Sequence, residues 1–163
     1  MWLKTAAVGC LAAIAALGAG CGTTSESGKV GDTLEAKGLE VTVEDVDTAV
    51  PVNEGDITGL SQPSPGMELV GTRVRVCSDH GGAIGPWDFG VETRDGDEGK
   101  LKFPQRNYAQ EFDSRRQGCG GGWIVFEIPS GSKPDRAKFG FEDTGSAREY
   151  QDIVDAEFSW SVR

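Results

Sequence analysis

The stretch Gly122-Trp123-Ile124-Val125-Phe126-Glu127-Ile128-Pro129 decides the fold class of this chain. Its apolar residues run almost without interruption, which is typical of a strand buried in the middle of a sheet. Pro129 ends the run, because proline has no backbone N–H to donate to a neighbouring strand. A glycine-rich segment at residues 118–122 leads into it. We therefore predict a central β-strand at residues 123–129.

The segments on either side of this strand alternate between apolar and polar residues, with turn residues between them. In residues 67–77 the side chains of Val70, Thr72, Val74 and Val76 share one face, and we expect Val74 and Val76 in the core. No stretch repeats apolar residues at helical spacing over the roughly ten residues that a helix needs. The predicted strands cover residues 39–44, 67–77, 87–92, 101–103, 123–129, 137–141 and 156–162, with a short one around Leu34.

These strands predict an all-β fold, an immunoglobulin-like antiparallel β-sandwich of about 7–8 strands. They lie in one domain, residues 30–163, which is long enough to bury a core of its own. Residues 95–99 carry the Asp-Gly signal of a tight turn, so we expect residues 87–92 and 101–103 to form a hairpin. Residues 48–66 hold three prolines and three glycines and are predicted to be a long loop.

The first twenty residues have the plan of an export signal. Lys4 lies near the amino terminus, an apolar run of 13 residues follows at positions 5–17, and small residues lead to Cys21. The run is too short for a transmembrane helix, which needs about 20 residues. We predict a signal peptide at residues 1–20 and a flexible polar tether at residues 21–29.

Cys21 is the predicted site of lipid attachment. Ala19 and Gly20 precede it, and together these residues resemble the lipobox of bacterial lipoproteins. The aliphatic residue of that motif lies one position early, as Leu17, with Gly18 in its place. The alternative is an ordinary signal cleaved near this position, which leaves Cys21 as a free thiol. With the lipid, the mature protein is anchored to the extracytoplasmic face of the cell membrane.

The chain is acidic, with 26 Asp and Glu against 16 Lys and Arg and a net charge of -10. Removing residues 1–20 takes away Lys4 and no acid, so 15 basic residues remain against 26 acids, a net charge of -11. Such a surface repels phosphate backbones and anionic headgroups. We therefore exclude nucleic acid as a partner and expect the lipid on Cys21, rather than charge, to supply membrane attachment.

Cysteine usage indicates an exported protein. One of the four cysteines leaves with the signal and Cys21 is assigned to lipid, so Cys77 and Cys119 remain as an even pair. We expect a disulfide. A two-thiolate metal or redox site is the alternative, although the Cys-x-x-Cys spacing is absent from the sequence. In the antibody-like arrangement that a sandwich suggests, the disulfide lies in the core with Trp87 and Trp123 near it.

Candidate chemical groups are few. His80 is the only histidine and lies beside Asp79 in a turn-like segment, and the sequence has no Gly-x-Ser-x-Gly nucleophile motif. Asp95 and Asp97 place two carboxylates on a glycine turn of the kind that Ca²⁺ can use, although a hairpin turn alone explains them. We therefore expect no enzyme, no catalytic residue and no cofactor, with Asp95 and Asp97 as weak candidates for a metal site.

The glycine-rich segment at residues 118–122 has a superficial likeness to a phosphate-binding loop. It lacks the Lys-Ser or Lys-Thr that ends such loops, and it leads into a strand instead of a helix. Arg115 and Arg116 precede it as a local basic pair. We expect these arginines to pair with surface acids in preference to an anionic partner.

The order of these motifs resembles a known family. Residues 30–33 (Val-Gly-Asp-Thr), residues 38–43 (Gly-Leu-Glu-Val-Thr-Val), a strand ending in Cys77, an aromatic hairpin and residues 122–129 are similar to a telokin-like, immunoglobulin-like lipoprotein domain of unknown function. This domain occurs in Gram-positive and actinobacterial species. The resemblance covers nearly all of residues 30–162 and implies a β-sandwich on an exported protein. It supplies no reaction and no catalytic residues.

The sequence favours a non-enzymatic lipoprotein whose sandwich presents loops to an envelope protein or a small ligand. A Ca²⁺-stabilised structural module of the cell envelope is the alternative, motivated by the acidic turns. An envelope hydrolase that uses His80 is a third hypothesis.

Overall fold

The structure, a computed structural model, describes residues 24–52, 61–79, 84–103, 107–110, 112–113, 118–140 and 156–162. These residues form the predicted all-β sandwich of two sheets, with nine strands and one 3₁₀ turn at Pro86–Asp88. The strands are β1 (Thr24–Lys29), β2 (Thr33–Ala36), β3 (Leu39–Asp47), β4 (Met67–Ser78), β5 (Phe89–Thr93), β6 (Lys100–Leu101), β7 (Gly118–Pro129), β8 (Pro134–Gly140) and β9 (Ala156–Ser161).

The two sheets differ in strand order. Sheet A has the order β1-β9-β8-β5, and sheet B has the order β2-β3-β4-β7-β6. The pairs of described strands are antiparallel except β1 and β9, which run parallel. β4 and β7 pair along their whole length at the centre of sheet B. The apolar run at residues 123–129 is therefore a central strand as predicted, and Val74 and Val76 are buried on its neighbour.

Residues 24–29 form a strand, although the sequence predicted a flexible tether at residues 21–29. Each position of β1, from Thr24 to Lys29, lies opposite a residue of β9. The prediction was wrong here because it took the lack of apolar side chains as a lack of structure. An edge strand needs backbone hydrogen bonds to its neighbour, and polar side chains such as those of β1 supply no obstacle to them.

β5 and β6 do not form the predicted hairpin. β5 contacts the segment just before β6, through a bridge from Glu92 to Glu98 and a hydrogen bond from the Gly99 N–H to the Val91 carbonyl at 2.7 Å. β6 itself pairs with β7 of sheet B. The turn itself lies where it was predicted. The Thr93 N–H donates to the Asp97 carbonyl at 2.9 Å, and Gly96 has a φ of 86°, a conformation that glycine adopts readily. The chain thus crosses from sheet A to sheet B directly after this turn.

Trp160 on β9 is the aromatic centre of the core. It is fully buried, and its indole Nε1–H donates to the Asp32 carbonyl at 2.9 Å. Its ring meets Phe158 edge to face, with 6.0 Å between ring centroids. Asp32 belongs to the turn between β1 and β2, where the chain passes from one sheet to the other. Trp160 therefore ties the two sheets together at this crossing.

The prediction that Trp87 and Trp123 lie in the core was wrong. Trp87 is 39% exposed, and Trp123 lies half-buried on the outer face of sheet B. An antibody-like core has a buried tryptophan packed on a disulfide between the sheets, whereas this disulfide joins two strands of sheet B.

Cys77 and Cys119 form the predicted disulfide, but within one sheet instead of between two. They lie directly opposite each other on β4 and β7. Cys77 is half-buried and Cys119 is exposed. Arg75 shares this outer face, and its Nη2 lies 4.0 Å from the Cys119 Sγ. The bond therefore clamps the two central strands of sheet B at the glycine-rich end of β7.

Loop segments cover part of the outer face of sheet B. The ring of Tyr108 stacks on Trp123 with centroids 4.2 Å apart, and its hydroxyl donates to the Asp47 Oδ2 at 2.7 Å. Burial raises the pKa of Tyr108, and the hydrogen bond to Asp47 raises it further. A Cβ at Gly71 would lie 2.4 Å from the Tyr108 hydroxyl, so glycine there lets the ring lie flat on the sheet. Under this layer lies a second small core of Val50, Leu69 and Val125.

Glu127 on β7 fastens this layer to sheet B. Its Oε1 accepts the backbone N–H of Ser64 at 2.9 Å and lies 3.1 Å from the Lys102 Nζ. The side chains of Glu127 and Lys102 are each 12% exposed. Burial by itself raises the pKa of Glu127, but the Ser64 hydrogen bonds and the Lys102 charge outweigh it and hold the pKa below its ordinary value.

The substitution Glu127→Gln should make stability less dependent on pH. Because the folded-state pKa of Glu127 is lowered, its contribution is present above the unfolded pKa near 4.3 and is lost as pH falls through the folded pKa. We expect the variant to be less stable than the wild type by about 1 kcal/mol at neutral pH, with the difference closing in acid. Urea unfolding between neutral and acidic pH measures this. Glu40→Gln, at an exposed position of β3, is the control, and an equal difference at every pH would contradict the assignment.

Candidate functional site

A groove of about 440 Å³ crosses the outer face of sheet A. It lies at the end of the sandwich where β1, β5 and β9 begin and β8 ends, which we call the proximal end. The outward-facing residues of sheet A are exposed or half-buried along all four strands, in contrast to the covered part of sheet B. We call this site the Trp87 groove; the residues that line it include Ser25, Trp87, Gly90, Lys138, Gly140 and Glu157.

Strand register builds the floor of the Trp87 groove from small side chains. Gly90 of β5 pairs with Lys138 of β8, and Lys138 pairs in turn with Ser159 of β9. One row further, Gly140 pairs with Glu157. Because alternate residues of a strand point to the same face, these positions all face outward while their neighbours enter the core. Two residues without side chains therefore meet on one surface and leave a depression.

Trp87 forms the wall of the groove next to β5. It sits in the 3₁₀ turn Pro86–Asp88, where the Gly85 N–H donates to the Asp88 Oδ2 at 2.7 Å. A Cβ on Gly85 would lie 2.1 Å from the indole ring, so glycine is needed for the ring to lie against this backbone. The ring is thus held in place on one side, while 39% of the residue stays exposed.

Lys138, which lines the groove, is paired with two glutamates beside it. Lys138 Nζ pairs with Glu92 and lies 2.7 Å from the Glu98 Oε1. The hydrogen bond from Lys138 lowers the pKa of Glu92. Burial lowers the pKa of Lys138, but its bonds to Glu92 and Glu98 outweigh this and hold the pKa above its ordinary value.

These groups suit binding better than proton transfer. A general acid or base works best when its pKa lies near the working pH, and the shifts at Glu92 and Lys138 move both groups away from neutrality. The groove also offers an exposed aromatic ring, a floor with two glycines, serine hydroxyls and the carboxylate of Glu157. Such a mixture of apolar and polar groups is typical of ligand-binding surfaces.

A second groove of about 460 Å³ lies on the outer face of sheet B beside the disulfide. Its floor is the glycine run of β7, and Arg73 and Arg75 of β4 line one side. Arg73 is paired with Glu44 at 3.1 Å. A Cβ at Gly121 would lie 2.2 Å from the Val74 carbonyl, so close approach of the β4 and β7 backbones explains this glycine without a phosphate ligand.

Among the predicted site residues, Cys77 and Cys119 come together in the disulfide, whereas the weak metal candidates do not join a group of metal ligands in the described structure. Asp95 and Asp97 lie on the turn between β5 and β6, and among the described residues no group of three or more His, Cys, Asp or Glu is placed to hold a metal ion. Cys21, His80 and the signal at residues 1–20 lie outside the described residues, as do Arg115 and Arg116.

Sequence reasoning missed the Trp87 groove for two reasons. Trp87, Phe89 and Val91 are two positions apart from one another, so strict strand alternation predicts that all three face the core. The 3₁₀ turn interrupts this alternation, so that Trp87 faces outward. The sequence Gly85-Pro86 was the available signal for a turn. Gly90 and Gly140 are far apart in the chain, and only the register of β5 and β8 brings them to one surface.

In the part of the chain that the structure describes, no helix has the length and apolar character needed to cross a membrane. No protein-family model matches the chain, and no curated protein sequence gives a match.

Solved structures share the sandwich. The secreted protein MPT63 of Mycobacterium tuberculosis is similar with a TM-score of 0.59 and 18% identity, over 85% of this chain and 98% of that protein. YcdA of Bacillus subtilis, described as a candidate lipoprotein, is similar with a TM-score of 0.55 and 12% identity, over 82% of this chain and 38% of that protein. At these identities the likeness shows that the chain shares their β-sandwich fold.

Proposed function

We propose that this chain is a lipid-anchored protein of the extracytoplasmic membrane face whose sandwich binds a partner, without catalysis, through the Trp87 groove. The partner is an envelope protein or a small ligand. The open outer face of sheet A carries this proposal, because a sheet face with a formed depression and an exposed aromatic ring is available for recognition. This places recognition on a sheet face, where the sequence suggested loops.

The anchor part of the proposal rests on the sequence at Cys21 and on the disulfide. Cys77 and Cys119 are joined, which suits an oxidising compartment. Their pairing leaves Cys21 for lipid. The fold shared with a secreted protein and a candidate lipoprotein is compatible with this location. Membership of the telokin-like lipoprotein family, suggested by the strand motifs, belongs to the same proposal.

Filling the groove should abolish partner binding without unfolding the protein. At Gly90 an added Cβ would meet only the Lys138 Cβ at 3.9 Å, and at Gly140 only the Glu157 Cγ at 3.7 Å. Arginine side chains at these two positions would therefore occupy the groove without straining the backbone. We expect Gly90→Arg and Gly140→Arg to lose the neighbours that crosslinking in intact cells recovers with the wild type, by roughly tenfold or more.

The control for this experiment is Asp95→Arg, which adds the same side chain at the turn between β5 and β6, outside the groove. Thermal melts of all three variants check that the fold is intact. Crosslinked neighbours that persist in both groove variants and in the control would rule out the groove as the binding surface.

A further inference from the structure

The structure leaves little chain between the predicted anchor and the folded domain. β1 begins at Thr24, so only Gly22 and Thr23 separate it from Cys21. Three Cα-to-Cα steps of 3.8 Å reach at most about 11 Å. The nine-residue tether expected from the sequence would have allowed roughly three times that distance. A lipid on Cys21 would therefore keep the start of β1 within about 11 Å of the membrane surface.

The end of the sandwich that contains the start of β1 also contains Trp87. Thr24 pairs with Ala156 at the start of β9, and Phe89, which follows the Trp87 turn, pairs with Phe139 near the end of β8. β1 and β5 are the two edges of sheet A, three strand spacings apart. At about 4.8 Å per spacing, they are separated by about 14 Å. The start of β1 and the turn that carries the indole thus lie at opposite corners of the proximal end.

An exposed tryptophan suits the boundary between lipid and water. Its ring is apolar and its N–H is polar, and tryptophan is enriched at that boundary in membrane proteins. Basic side chains are not expected to bind the lipid headgroups here instead. Lys138 is already paired with Glu92 and Glu98, and the chain as a whole is acidic. A short linker between the lipid and β1 raises the effective concentration of the indole at the membrane surface, so that even a weak contact is populated.

We propose that Trp87 contacts the lipid headgroup region of the membrane that holds Cys21, so that the proximal end of sheet A lies along the membrane. This inference rests on the lipid anchor of the function proposed above. Two contacts at opposite corners hold the proximal end of sheet A along the membrane, and the Trp87 groove, which lies at that end, is then close to headgroup level. The partner in the groove is accordingly one that lies at the membrane surface.

Fluorescence quenching tests the contact. The full-length protein is extracted from membranes, its acylation is checked by intact mass, and it is placed in phosphatidylcholine vesicles that carry bromine on the upper part of the acyl chains. The mature chain also has Trp123 and Trp160, so Trp87→Phe supplies the background. We expect tryptophan emission to be quenched at least roughly twofold more in the wild type than in Trp87→Phe, because the other two indoles are half-buried or buried.

A variant with ten Gly and Ser residues inserted between Thr23 and Thr24 is the matched control. It should sediment with the vesicles as the wild type does. It should lose most of the Trp87 quenching, because a longer linker lowers the effective concentration of the indole at the membrane surface. Adding anionic phosphatidylglycerol should not strengthen the quenching, since the domain is acidic.

The two proposals fail in different ways. Acylated protein that sediments with vesicles but shows equal quenching in the wild type and in Trp87→Phe would overturn the membrane contact and leave the anchor standing. Equal Trp87 quenching in the wild type and in the variant with the longer linker would show that the short linker is not needed for the contact. Protein without an acyl group on Cys21 would instead refute the proposed anchor, whatever the fluorescence shows.

Discussion

Replacing Trp160 with alanine should lower the free energy of unfolding by about 3–5 kcal/mol, the range expected when a large buried aromatic side chain is truncated. Trp160 is fully buried between the sheets and contacts Phe158 edge to face. Its loss also removes the hydrogen bond to the Asp32 carbonyl, which lies where the chain crosses between sheets. Both the cavity and the unpaired carbonyl destabilise the folded state.

Urea unfolding followed by circular dichroism measures this change. Trp160→Phe should lie between the wild type and the alanine variant, because it keeps most of the buried ring and loses the hydrogen bond. Trp87→Phe and Trp123→Phe are matched controls at exposed and half-buried positions, and we expect each to change the free energy by about 1 kcal/mol or less. A Trp160→Ala variant as stable as these controls would show that Trp160 is not the centre of the core.

The fold class was predictable because its main signals are local. The apolar run at residues 123–129 and the alternation at residues 67–77 specify two central strands by their period alone. The structure pairs these segments along β4 and β7. A glycine turn at residues 95–99 is equally local and was found in its predicted place.

Which sheet each strand joins could not be predicted in this way. β6 has two residues, and its position in sheet B depends on the free edge of β7, which no local pattern reports. β1 is polar throughout and becomes a strand through backbone hydrogen bonds to β9, more than a hundred residues away in the chain. Period and hydropathy describe side chains, so they miss strands that the backbone alone holds in place.

The candidate site shows the same limit more clearly. Its floor joins Gly90 and Gly140, and its wall is a tryptophan whose direction is reversed by a 3₁₀ turn. None of these residues belongs to a motif, because a binding surface on a sheet face is made by register across strands. The sequence could indicate an exported β-domain without chemistry of its own, but not where on it a partner would bind.

Replacing Cys77 and Cys119 together with alanine should lower the free energy of unfolding by about 4 kcal/mol, the value that the chain-entropy model gives for a loop of this length. The two residues are 42 positions apart in the chain. Urea unfolding of the double variant measures the change, and a thiol reductant added to the wild type should reproduce it. The same reductant should leave the double variant unchanged.

Local opening of the folded state should increase at one end of sheet B. Residues 118–122 of β7 hold four glycines, and Gly118 has a φ of 86°. Glycine loses more backbone entropy on folding than other residues, so this end of β7 is held weakly by its own contacts. In the double variant the amides of residues 123–128, which are packed in the core and open by global unfolding, should exchange roughly a thousandfold faster, the factor that corresponds to about 4 kcal/mol. Residues 75–78 and 118–122 should accelerate more than this, because they also open locally. Equal acceleration along β4 and β7 would show that the disulfide acts only on the unfolded chain, whereas a larger change in residues 75–78 and 118–122 would show that it also clamps the folded sheet beside the second groove.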